Sequence, residues 1–302
     1  MAKRVLNCES GPVTGQARSE ATKLFIVEEF TPLFHTAEYG SLPDAVRLRY
    51  NQLHALYFNE QVAFFEQEML SPALRALARM ALPPPLAKGV REFCEEEQRH
   101  TAMFRRLNQQ AAPELYARSN YFFVGIGPVG RAAVREVCRQ PRLFPVVLWL
   151  ALMQEERSLF YSSVCLQHSA LLDSRFVAAH RAHLADEVGH VAWDEELLEW
   201  LWPRTGRALR VLNARLLNWL VGEFFLLPKR SGLHVVQRLA REFPELESSA
   251  LCRAMAGLSV NAAYLRHLYS RTITPRAFDR FDRHPEFALL SRTLPGYVPS
   301  PA

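Results

Sequence analysis

Apolar residues recur every three to four positions along most of the chain, as in DAVRLRYNQLHALYFNEQVAFFEQEML (44–70) and AAHRAHLADEVGHVAWDEELLEWLW (178–202). That is the period of a helix with one face turned to a core, and the strict alternation of a half-buried strand is scarce. The pattern predicts an all-α chain. Prolines punctuate it: Pro83-Pro84-Pro85 closes one periodic stretch, and Pro203, Pro228 and Pro244 separate later ones. Residues 1–20 are polar and read as a flexible N-terminal segment, whereas 275–302, rich in proline and mixed charge, read as an irregular tail over the surface. No break in composition between them demands a second domain, so 21–274 is expected to form a single helical domain. The apolar run LFPVVLWLALM (143–153) is too short to cross a bilayer and reads as a core helix.

One stretch imitates a nucleotide-binding loop. GIGPVG (125–130) follows YFFV and precedes RAAVREV, but the next periodic segment is a helix, with no second strand ending in an acidic residue. It is expected to be a glycine-rich turn between helices.

The helical pattern is broken by polarity of a particular kind. In HRAHLADEVGH (180–190), His183, Glu187 and His190 stand at i, i+4 and i+7, within about 60° of one helix face. Glu187 and His190 form a Glu-x-x-His unit, and a second one occurs at Glu97 and His100. Such units on two helices, with one Glu from each of two partner helices, build the dinuclear carboxylate sites of helical bundles. Counting back 31 residues from Glu97 reaches Glu66, and the same step from Glu187 reaches Glu156. Each interval has its midpoint at a turn signal, just before the triple proline or just before Asp173-Ser174, so each reads as a hairpin with equal arms.

Both outlying carboxylates sit among apolar neighbours, Glu66 between Val62, Ala63, Met69 and Leu70, and Glu156 between Leu152, Met153, Leu159 and Phe160. Ionising them there is costly unless a cation compensates. Glu60 rivals Glu66, but the equal arms favour Glu66. His180 lies one turn before His183 and competes with it as a ligand. His54 reads as a core residue, and Glu95, Glu155 and Glu195 as surface or supporting residues. The reading is therefore a four-helix di-metal bundle of the ferritin-like class with additional flanking helices.

Composition adds exclusions. The chain is 49% hydrophobic and 22% charged with net charge +5, and it has no run of five or six like charges, so no nucleic-acid partner is expected. The five cysteines (Cys8, Cys94, Cys138, Cys165, Cys252) are odd in number with no CxxC pair, which argues against a disulfide framework or a thiolate zinc site. With no apolar leader in MAKRVLNCESGPVTGQARSE and no membrane span, a cytoplasmic protein is expected.

The H-x-x-x-E-x-x-H pattern at 183–190, with the upstream E-x-x-H and two outlying Glu residues, resembles the p-aminobenzoate N-oxygenase family of di-iron arylamine oxygenases. The strings NEQVAFFEQEMLSPA, EEEQRH and HLADEVGH carry the likeness, which covers about residues 45–200. The resemblance implies seven ligands, Glu66, Glu97, His100, Glu156, His183, Glu187 and His190, holding two iron ions with O2 as co-substrate. The acids beside the ligands, Glu96 and Asp186, suit the outer position in which a carboxylate accepts the free N–H of a ligating imidazole. By the same resemblance a peroxo species oxidises an aryl amine to hydroxylamine and on toward nitro, in secondary metabolism such as antibiotic biosynthesis. A ferredoxin- or reductase-type electron donor and a homodimer are implied with it.

Tyr57, Phe64, Phe65, Phe160 and Tyr161 are available to shape a pocket for a flat substrate. Arg99 and Arg157 are expected to point away from the site, so the amine is expected to be larger, neutral or tethered to a carrier protein. The competing readings are a di-iron hydroxylase or desaturase acting on carbon, and a non-enzymatic metal store or scaffold.

Overall fold

In the computed structural model, which describes residues 22–226 and 230–299, the helices are α1 (Asp44–Phe64), α2 (Ser71–Leu77), α3 (Pro84–Ala111), α4 (Pro113–Tyr116), α5 (Pro128–Cys138), α6 (Val146–Gln167), α7 (Ser174–Leu201), α8 (Arg207–Leu220), α9 (Arg230–Glu242), α10 (Ser248–Gly257), α11 (Ala262–Leu268) and α12 (Pro275–Asp282). The segment 1–20 lies outside the described residues. No strand forms among those described, and the only β-bridge pairs Leu24 with Leu172. No helix among them is long and apolar enough to cross a membrane.

Four long helices make the centre. α1 and α3 form one hairpin and α6 and α7 another, and α3 packs on α7 to join them. Their starts are written locally. Pro84 and Pro85 occupy the first turn of α3, where a missing N–H leaves no bond unmade, so the triple proline opens a helix as well as closing a turn. Asp173 caps α7 by accepting from the backbone N–H of Arg175 at 2.9 Å. Gly89 on α3 lets α7 approach closely, because a Cβ there would meet Nε1 of Trp193 at 2.7 Å.

The bundle core is split. One apolar cluster takes Leu70–Leu77, Leu86–Phe93, Val146–Met153 and Val191–Leu201; the other takes Val46–Phe58, Leu107, Tyr161–Cys165 and Phe176–Ala179. On every one of the four helices a polar stretch lies between the two. Buried polar side chains need partners, so this middle layer is where the fold must be explained by something other than hydrophobic packing.

One expectation holds here and one changes. GIGPVG is indeed no nucleotide loop: Gly127 precedes α5, Pro128 is its first residue, and no strand leads into it. The tail, expected to be irregular, instead forms α12 and a 3-10 segment Pro285–Arg292, and buries Phe278, Phe281, Phe287, Leu290, Leu294 and Tyr297 in the core. Its aromatic residues sit at helical spacing, a signal outweighed in the sequence by the prolines around it.

Candidate metal centre

The middle layer gathers most of the residues singled out by spacing. Donor atoms of Glu97, His100, Glu187 and His190 lie within 4.8 Å of one another, and so do those of Glu66, His100 and His183. The two sets share His100. Glu187 links them further, since its Oε1 lies 2.7 Å from His183 Nε2, 3.5 Å from His190 Nδ1 and 3.6 Å from His100 Nδ1. All six side chains are buried.

These atoms converge without satisfying one another. Both oxygens of Glu97 and of Glu187, His100 Nδ1, His183 Nε2 and His190 Nδ1 are buried and make no directional hydrogen bond. Such groups cost about 1–3 kcal/mol each when left unpaired, and seven in one place exceed what a domain tolerates. A cation among them removes the cost. The spacings fit one: donors about 2.1 Å from a common ion at right angles stand about 3.0 Å apart, and Glu97 Oε1 is 3.0 Å from His190 Nδ1. Carboxylate and imidazole donors suit iron. The centre thus fits a pair of metal ions held by residues of α3, α7 and the π-helical turn Phe65–Leu70 that follows α1.

Each inward imidazole is held from behind, and the holding is crossed between helices. Glu96 of α3 accepts from Nε2–H of His190 on α7 at 3.0 Å, while Asp186 of α7 accepts from Nε2–H of His100 on α3 at 3.1 Å. A proton kept on Nε2 leaves the Nδ1 lone pair facing the centre. His183 is turned the other way. Its Nδ1–H donates to Ser158 Oγ at 3.1 Å, leaving Nε2 toward Glu66 and Glu187. Thr101 donates to Glu66 Oε2 at 3.0 Å.

Electrostatics repeat the need for positive charge. Burial pushes the Glu66 carboxyl up to about 8, with Glu97 adding to the rise and His183 opposing it. Burial likewise raises Glu97. Around Glu187 burial alone would raise the pKa, but His183, Glu155 and His190 outweigh it and hold that carboxyl well below its usual range. The imidazole of His183 is correspondingly lifted to about 10, against its burial, by Glu187 and Glu66. Without a cation the layer has to keep protons on its own ligands.

Glu156 is the residue the fold does not bring in. Its carboxylate accepts the backbone N–H groups of Arg276 and Ala277, both at 2.8 Å, and so caps α12. Its neighbour Glu155, assigned to a supporting role from the sequence, is buried against Glu187 instead, and burial and the Glu187 charge raise its pKa well above normal. The equal-arm count assumed regular helix on both sides. The first arm passes through a π-helical turn, Phe65–Leu70, with more residues per turn, so equal counts no longer mean equal heights or phases. A better signal was present in the second hairpin. Glu155, Ser158 and Ser162 repeat the i, i+3, i+7 spacing of His180, His183 and Glu187 in mirror order, and the structure pairs them as Glu155–Glu187, Ser158–His183 and Ser162–His180.

The rivals take other places. His180 bonds Ser162 through Nδ1 at 3.1 Å and stays outside both donor sets. Glu60 accepts from Tyr116 Oη–H at 2.6 Å and from the backbone N–H groups of Phe122, Phe123 and Val124, which ties down the YFFV loop. Asp194, not singled out by spacing, is buried with neither oxygen hydrogen-bonded, and burial raises its pKa strongly. It continues the Glu187–His190 line by one more turn. Arg157 also departs from expectation, since it shares a small cavity with Glu66, Glu155, Ser158, His183 and Phe58. That cavity is about 40 Å³. Arg157 donates to Tyr269 Oη at 3.1 Å, stacks over Tyr161, and forms no ion pair with an acidic side chain among the described residues.

A family profile described as "P-aminobenzoate N-oxygenase AurF" matches residues 12–257. Neither the curated proteins nor the solved structures yielded a match.

Proposed function

The chain belongs to the p-aminobenzoate N-oxygenase family, whose members are di-iron oxygenases, and from that premise we propose that it is an O2-dependent N-oxygenase. Its substrate is a small-molecule amine, oxidised to the hydroxylamine, nitroso or nitro level in secondary metabolism. The observation that carries the reading is His183, a third imidazole whose Nε2 stands 2.7 Å from Glu187 and 3.4 Å from Glu66.

Glu66, Glu97, His100, Glu155, His183, Glu187 and His190 would hold the two irons, with Glu155 in the place first given to Glu156. When bound, the irons supply the electrons and Lewis acidity for O2 chemistry at the amine nitrogen. The protein's own residues do the rest. Glu96, Asp186 and Ser158 fix the ring orientations of His190, His100 and His183. The two apolar clusters above and below the layer keep bulk water from it. Phe58, Phe65 and Phe225 close the cavity beside Glu66, and a volume near 40 Å³ holds about one water. An aromatic amine enters only when one of these rings turns aside. Inside, the Arg157 guanidinium offers a counter-charge to an acidic group on the substrate.

The test is His183→Ala, with iron content and amine turnover measured together under O2, and acyl and aryl C–H substrates run in parallel. Lost amine oxidation at retained iron content supports N-oxygenation. Unchanged amine turnover, or oxidation of carbon alone, overturns it.

A further inference from the structure

The metal layer is not equally deep on all sides. Its ligands are buried, but the acids behind two of them reach the surface between α3 and α7: the side chain of Asp186 is 34% exposed and that of Glu96 is 21% exposed. Arg99, 59% exposed, bridges the two at 3.8 Å and 3.3 Å. Two short links therefore run from the centre to solvent on this face, His100–Asp186–Arg99 and His190–Glu96–Arg99. The substrate cavity opens on the other side of the layer, between α1 and α6.

Beside these links lies a groove of about 510 Å³ between α3 and α7. Arg99, Arg106 and Arg175 line it, no acidic residue does, and Ala102 and Ala178 keep its floor shallow. Arg175 is anchored to Asp173 at 2.7 Å, whereas Arg106 is exposed.

We infer that this α3–α7 face is the docking surface for an acidic one-electron carrier protein. The inference rests on the di-iron reading above. In each encounter the carrier is oxidised by one electron and one Fe(III) of the pair is reduced to Fe(II) through His100 or His190. Two encounters reduce both irons, and no bond of the protein is made or broken. Charge complementarity selects the occupant, since basic patches steer acidic partners and such electron-transfer contacts are small and salt-sensitive.

A second arginine groove, of about 690 Å³ with Arg75, Arg79, Arg135 and Arg139, lies against α2 and α5. Its four arginines and Glu136 give it the same formal charge as the first. However, no ligating imidazole bonds toward it, and Gln67, its closest point to the layer, is carried around the helix from Glu66. It serves as the control.

The iron-loaded protein is reduced by a plant-type [2Fe–2S] ferredoxin in stopped flow, and association is measured separately with the redox-silent gallium-substituted ferredoxin. For Arg106→Glu combined with Ala102→Glu, the second-order reduction rate and the association constant fall by about tenfold at low salt. The deficit closes at high salt, while iron content and reduction by dithionite stay unchanged. Arg79→Glu leaves both ferredoxin readouts unchanged. Unaltered association of the double variant, or an equal loss in Arg79→Glu, overturns the inference. A protein that holds no iron yet binds gallium-ferredoxin through Arg106 fails the di-iron reading instead, so the two failures are told apart.

Discussion

His190 donates its Nε2–H to Glu96 at 3.0 Å across a helix interface, from a position 94 residues further along the chain. The matching bond from His100 to Asp186 runs in the opposite direction between the same two helices. The pair of bonds locks α3 and α7 in register and aims two Nδ1 lone pairs at one point. Glu96→Gln and Asp186→Asn keep the shape but weaken each acceptor. Iron affinity is expected to fall about 10- to 100-fold in each, with the thermal midpoint of the metal-free protein shifted little. Iron titration and calorimetry check both, and equal affinity for the variants would show that the crossed bonds do not orient the ligands.

Glu155 and Glu156 are neighbours with opposite duties. Glu155→Ala is expected to lose iron. Glu156→Ala is expected to retain it and to lose about 1–2 kcal/mol of stability, the worth of a helix cap. Metal analysis and urea unfolding separate the two, and iron loss confined to the Glu156 variant would restore the equal-arm ligand set.

Arg157 sets a charge preference. Arg157→Gln is expected to raise KM for an amine bearing a carboxylate by about tenfold or more, one charge-assisted bond, and to leave a neutral amine of the same size nearly unaffected. Equal losses on both substrates would mean that Arg157 only supports Tyr161 and Tyr269.

His54 reports acid sensitivity. Its imidazole is held down to about 3 by burial, helped by the charge of Arg157, against 6.5 in the unfolded chain. Below 6.5 the unfolded chain takes a proton that the folded one refuses, so stability falls with pH by about 1.4 kcal/mol per unit from this residue. His54→Gln is expected to flatten that limb between pH 6.5 and 4. Parallel pH profiles for the two proteins would rule the assignment out.

On the di-iron reading proposed above, metal acts as a fold ligand. Removal by a chelator returns seven buried donors to an unpaired state. The thermal midpoint is expected to drop and to rise again with added Fe(II), which at a thousandfold excess over Kd stabilises the fold by about 4 kcal/mol. A midpoint indifferent to iron would mean the layer is satisfied by its own protons.

Much of this was legible in one dimension. The helical class, the two hairpins, both Glu-x-x-His units and His183 follow from the 3.6-residue period, because residues three, four and seven apart must share a face. Glu66 and the outer acids Glu96 and Asp186 were reachable the same way. The exchange of Glu155 for Glu156 was not. Adjacent residues differ by about 100° around a helix, and which of them faces inward depends on where the partner helix α7 lies.

The sequence by itself determined which side chains share a helix face, since that is local geometry set by the backbone. Only the tertiary structure decided which faces meet. It turned Glu156 to cap α12, exchanged the outer acids between α3 and α7, and brought Arg157 to the cavity wall. Those pairings join residues far apart in the chain, and they are selected by the packing of whole helices.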